Sequence, residues 1–106
     1  MDLYNWEQVP KEDLFPGFVR QVIHTPSMTL LRGVFKAGVS SPLHHHVHEQ
    51  VTMIVQGKMR FFLDGEPVEL QPGEVLRIPS DVPHSAEALE DSVLMDVFTP
   101  ARTDWQ

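Results

Sequence analysis

Apolar positions along this chain recur in twos far more often than in threes and fours. Runs rich in β-branched and aromatic residues occur at FVRQVI (18–23), TLLRGVF (29–35), QVTMIV (50–55), KMRFFL (58–63), VEL (68–70), EVLRI (74–78) and SVLMDVF (92–98), and each predicts a strand. Nine prolines and six glycines punctuate them. Asp64-Gly65, between RFFL and EPVEL, predicts a tight type I′ hairpin, because both of its central positions need positive φ. Pro72-Gly73 and Ser80-Asp81 mark further turns. Helical spacing is confined to a turn over Trp6 to Leu14, and no repeat or low-complexity stretch interrupts the pattern. Many short strands at this spacing predict an all-β sandwich or barrel.

Alternation also assigns faces. In a regular strand His44, His46, His48, Gln50, Thr52 and Ile54 share one side, while Glu49 points to the other. A bulge between 46 and 50 would exchange the two sides. Val51, Met53 and Val55 make the opposite face apolar as well, which calls for cover from a second sheet or a second copy of the chain. A homodimer is the corresponding expectation.

With 106 residues, 42% apolar and 22% charged, the chain reads as one globular domain over 1–106 with room for one site. No run of 18 apolar residues is present, so no membrane span is expected. The opening MDLYNWEQVPKEDL is acidic where an export signal needs a basic then an apolar region, and a cytoplasmic location follows as an expectation. A net charge of −7 argues against a nucleic-acid partner, which would require clustered Lys and Arg. The absence of cysteine removes disulfides and thiolate ligands, leaving imidazole and oxygen to hold any metal.

The segment HHHVHEQ (44–50) concentrates four of the six histidines. Two imidazoles in a His-x-His pair leave a strand on the same side and can chelate one ion. An expression tag would sit at a terminus without flanking strand pattern, and the isolated His24 reads as an ordinary strand or surface residue. The long-range spacing carries more. From Gly38, five residues lead to His44-x-His46, three more to Gln50 and six more to Gly57; fifteen residues later come Gly73, five residues, Pro79, and then Pro83-His84.

This double pattern, about 38–57 and about 73–88, resembles the paired motifs of the cupin superfamily, whose first motif supplies two His and an acid and whose second supplies a third His. The resemblance implies a small jelly-roll β-barrel with one divalent transition metal (Zn, Ni, Mn, Fe, Co or Cu) held by His44, His46, Gln50 and His84. The chain departs from the family pattern at three places: Gln50 replaces the usual Glu, Asp81 the usual Gly, and Ala88 the usual Asn. An amide oxygen can coordinate, but it cancels none of the ion's charge. The centre then stays near +2, a strong Lewis acid poorly suited to ferric iron. In the other arrangement Gln50 only hydrogen-bonds a ligand and His48 or Glu49 completes the shell.

The stretches HHHVHEQVTMIVQG and LMDVFTPARTDW are similar to a narrower branch, the pectin degradation proteins, which open and ketonise 4,5-unsaturated monouronates and carry Gln in the metal shell. That likeness implies Asp96 as acid/base, Phe98 as a wall of the sugar pocket, and Arg102 as catalytic partner of the substrate carboxylate, with a small anionic sugar as substrate. The residues alone allow two placements. An acid inside SVLMDVF needs a partner or a purpose, and by alternation Asp96 shares a face with Phe98; that face is either the interior or the solvent side of an edge strand, with Arg102 in a surface ion pair with Asp104. Two other functions compete: a non-catalytic ligand-binding or sensory cupin, and a metal-dependent dioxygenase or polyketide-cyclase-like enzyme using Met59, Phe61 and Phe62 near the pocket.

Overall fold

The computed structural model describes residues 1–105. Its strands are β1 (Glu12–Phe15), β2 (Phe18–His24), β3 (Thr29–Phe35), β4 (Ser40–His44), β5 (Glu49–Gln56), β6 (Met59–Leu63), β7 (Glu66–Leu70), β8 (Val75–Ile78), β9 (His84–Ala88) and β10 (Ser92–Thr99). Antiparallel pairing assembles a six-stranded sheet, β1-β2-β3-β10-β5-β8, and a four-stranded sheet, β4-β9-β6-β7. The sheets do not close into a barrel. They form a sandwich-like jelly roll, which corrects the barrel expected from the sequence: strands switch sheets through turns, and hydrogen bonding is not continuous around the fold.

All seven strands expected from the apolar runs form, with boundaries within about two residues. Three more, β1, β4 and β9, do not carry an apolar alternation. Ser40–His44 and His84–Ala88 are held by pairing with each other, Ser40 opposite Glu87 and His44 opposite His84. The helical turn expected over Trp6 to Leu14 shrinks to a single 3-10 turn, Trp6–Gln8, followed by β1. That turn packs on its own chain, where the buried Gln21 amide donates to the carbonyls of Trp6 and Val9.

Asp64 and Gly65 have φ of 51° and 84°, as a type I′ hairpin requires. Asp81, standing where the family pattern has Gly, also lies in the left-handed region at φ 62°; aspartate is among the few residues that tolerate it. The side chains facing inward between the sheets form the core, with Met59 and Ile78 fully buried among Phe18, Leu31, Phe61 and Leu94. On the outer face of β5, Val51 and Met53 are half-buried and Val55 exposed. Among the described residues no helix is long and apolar enough to cross a membrane.

Gly57 explains its place at the end of the first motif. Its φ is 88°, and an added Cβ would run into the Asp91 carbonyl and the Ser92 hydroxyl and lie 2.8 Å from Ser92 Cα. Those groups are backbone and a committed hydroxyl, which donates to Glu90 O at 2.9 Å, and they have little freedom to yield. Gly57→Ala is therefore expected to destabilise the fold by about 2 kcal/mol or more, read as a lower urea midpoint at unchanged slope. Gly38→Ala, where the space is open, meets only the backbone cost and should lose less.

Candidate metal centre

Three separate supports bring the histidines together. His44 ends β4 and lies directly opposite His84, the first residue of β9. The chain then leaves the four-stranded sheet, and residues 45–48 cross to the six-stranded one, which β5 enters at Glu49. His46 sits on that crossover, and Gln50, only 5% exposed, faces inward from β5. The ligating atoms of His44, His46 and His84 all lie within 4.8 Å of one another. A single continuous strand from 44 to 54, as alternation alone suggests, does not form; the alternation holds from Gln50 through Thr52 to Ile54, all buried. Glu49 points outward and pairs with Arg77. His48 is buried but its ring lies outside this cluster, and its carbonyl serves His46.

Each imidazole of the cluster is oriented through Nδ1. His44 Nδ1 lies 2.7 Å from Pro42 O, His46 Nδ1 3.0 Å from His48 O, and His84 Nδ1 2.8 Å from Val82 O. A carbonyl only accepts, so the proton belongs on Nδ1 and the lone pair on Nε2, the tautomer that a metal-binding histidine presents. His84 Nε2 is buried with no hydrogen-bond partner among the described residues. His46 Nε2 lies 3.2 Å from Gln50 Oε1. With the proton on Nδ1 these are two acceptors face to face, which repel unless a proton or a cation lies between them.

A second proton on His46 is disfavoured, since burial foremost and then the Arg102 charge lower its pKa. Burial likewise brings His84 down to about 4, so its lone pair is bare at neutral pH. The donor set of three neutral imidazoles and one amide oxygen thus fits a divalent transition ion of intermediate softness. It contributes no negative charge.

From Gln50 a hydrogen-bond chain runs inward. Gln50 Nε2 donates to Thr52 Oγ1 at 2.9 Å, and Thr52 Oγ1 donates to Asp96 Oδ1 at 2.6 Å. Strand register builds this, with Asp96 opposite Thr52 and Phe98 opposite Gln50 across the β10–β5 pair. Since β10 lies between β3 and β5, Asp96 occupies the inner face of a central strand and not the solvent side of an edge. Burial pushes its pKa up to about 7, against the opposing hydrogen bonds of Thr52 and Gln50 and the charge of Arg102.

Asp96, Gln50, His44 and His84 line one cavity of about 310 Å³, together with Phe98 and Arg102. Arg102 does pair with Asp104, through Nε at 3.1 Å and Nη2 at 2.8 Å, yet it is only 7% exposed. Its guanidinium lies 4.9 Å from the Phe98 ring and 3.9 Å from that of Trp105, and its backbone N–H donates to Thr29 Oγ1 at 2.8 Å. The surface ion pair and the pocket residue considered from the sequence are thus one side chain. Sequence reasoning passed over Trp105 and Arg20, which also line the cavity, with Arg20 lying 4.4 Å from the Trp105 ring. Trp105 follows the last strand in a 3-10 turn and carries no periodic signal. Thr52 was visible as a neighbour of Gln50 on one face, but its bond to Asp96 depends on the pairing of two distant strands.

A family model described as a cupin domain matches residues 31–98. The pectin degradation protein KdgF of Dickeya dadantii (strain 3937) is 28% identical over 102 residues, covering 93% of each chain. The solved structure of KdgF from Halomonas sp. superposes with a TM-score of 0.93 at 32% identity and covers 100% of this chain and 99% of that one. An RmlC-like cupin from Shewanella frigidimarina NCIMB 400 gives a TM-score of 0.92 at 29% identity, covering 100% and 96%.

Proposed function

The chain belongs to the cupin family, and on that premise we propose that it is a metal-dependent enzyme that opens 4,5-unsaturated monouronates and converts them to linear keto acids. The observation that carries this reading is the convergence of His44, His84, Gln50 and Asp96 on one cavity, with His46 clustered against His44 and His84 and Gln50 joined to Asp96 through Thr52. Kinship with KdgF, a pectin degradation protein, supports the substrate class. A divalent ion held by His44, His46, Gln50 and His84 would supply Lewis-acid polarisation of substrate oxygens.

The chain's own residues account for the remaining requirements. Arg102 keeps donors beyond the two given to Asp104, and a planar guanidinium suits the substrate carboxylate. Phe98 holds that guanidinium in place and walls the sugar ring. Thr52 donates to Asp96 Oδ1 and holds the carboxyl that moves the proton. Asp96 takes the proton of the C1 hydroxyl; the bond from C1 to the ring oxygen breaks, C1 becomes an aldehyde, and the electron pair stays on the former ring oxygen as an enolate conjugated with C4=C5. The same carboxyl returns the proton to C4, giving the 5-keto acid. The reaction is an isomerisation and consumes no water or oxidant.

The test is loss of absorbance near about 230 nm, where a conjugated enol ether of this kind absorbs, on lyase-generated unsaturated galacturonate and mannuronate monomers. Metal-loaded protein is expected to accelerate the loss over the spontaneous background, and chelator-stripped protein is not. A folded, metal-replete chain with no acceleration would overturn the assignment and favour a ligand-binding role.

A further inference from the structure

We propose that Thr52 is a positioning residue: its hydroxyl holds the Gln50 amide with the oxygen toward the histidine cluster and fixes Asp96 at the same time. The inference rests on the metal-centre part of the functional reading and is independent of the substrate.

An amide is ambiguous where a carboxylate is not. Either end of Gln50 could face the histidines, and only the oxygen end can ligate. The neighbours decide. Thr52 is fully buried and its hydroxyl has one proton, which is directed to Asp96 Oδ1 at 2.6 Å. In its ionised form the Asp96 carboxylate only accepts, so the hydroxyl turns its lone pairs to Gln50, and the amide end that can meet them is Nε2, at 2.9 Å. Turning the amide over would place Oε1 against those lone pairs and Nε2 beside His46 Nε2, losing a buried hydrogen bond as well as a ligand.

The position tolerates little else. Thr52 lies opposite Asp96 on β10 and next to Gln50 on the same face of β5, so one side chain must serve both. A β-branched residue suits the strand, and valine has nearly the volume of threonine without the hydroxyl.

Cobalt(II) loading of the full chain tests this, with affinity by competition against a chelator and the visible absorption of the ion as a report on its donor set. Thr52→Val is expected to bind cobalt about 10- to 100-fold more weakly, with an altered spectrum, the range for loss of a group that orients a ligand. Thr52→Ser, which restores the hydroxyl, is expected to return both to near the unaltered values. Ile54→Val, a core truncation on the same face of β5, should lower Tm and leave affinity and spectrum in place. A T52V chain with unaltered affinity and spectrum overturns the proposal, as does a T52S chain impaired as much as T52V, since packing of the methyl group would then be the cause. Should T52V not fold, T52A against T52S puts the same question, and equal loss in both overturns it. Uronate turnover is not a readout, so a negative uronate assay leaves the inference standing; an unaltered chain that takes up no cobalt overturns it together with the metal centre.

Discussion

Asp96→Asn is expected to lower uronate turnover by about 10²- to 10⁴-fold while the metal stays bound. Asparagine keeps an oxygen where Asp96 Oδ1 accepts from Thr52, so the chain of bonds through Thr52 to Gln50 survives while the ability to carry a proton is lost. The same substitution should stabilise the chelator-stripped fold, because the buried carboxylate is unfavourable in its charged form. Its pKa in the native protein, about 7, lies above the ordinary aspartate value of 3.8. A raised native pKa contributes stability that is complete below about pH 4 and is lost as pH rises through 7. The Tm of stripped D96N relative to the unaltered chain should therefore be higher at pH 8 than at pH 5. Turnover near that of the unaltered chain would remove Asp96 from the mechanism, and a Tm difference independent of pH would show that burial does not shift this acid.

Replacing His84 with alanine is expected to weaken metal binding by at least about 100-fold, or about 2.7 kcal/mol, and to bring turnover to the spontaneous rate. His84 is 3% exposed, its Nδ1 is anchored on Val82 O at 2.8 Å, and its Nε2 has no partner among the described residues, so the ring is already oriented and an ion would bind it at no further ordering cost. Thermal unfolding separates this from a loss of folding. Metal at about 100 times its dissociation constant stabilises a native state by about 2.7 kcal/mol, which in a domain of this size raises Tm by about 10 °C or more. The unaltered chain should show that rise and H84A should not. If both rise equally, His84 does not hold the ion.

The seven apolar runs were legible because burial between two sheets imposes a period of two, and the Asp64-Gly65 turn because few residues accept positive φ twice in succession. β4 and β9 were not: their residues are polar or small, and what makes them strands is the distant pairing of His44 with His84. The same distance limits the site. Spacing and resemblance named His44, His46, Gln50 and His84 together, yet strand alternation alone set 44 to 54 in one element, whereas the chain changes sheets between them. Asp96 looked equally suited to an edge strand until β10 was found between β3 and β5. Trp105 is held by stacking with Arg20 and Arg102, a contact that leaves no trace in local hydrophobic pattern.

The placement of β10 at the middle of the six-stranded sheet also orders events during synthesis. A ribosome delivers β1, β2 and β3 early and β5 and β8 later, but these two groups share no strand edge until residues 92–99 have emerged to pair with both, Phe98 against Thr29 on one side and Gln50 on the other. A nascent chain stopped short of that strand presents two open apolar edges and lacks Asp96. The histidines, all upstream, are already made by then, so the His44, His46 and His84 cluster can assemble before the sheet is complete, while the Thr52–Asp96 hydrogen bond cannot.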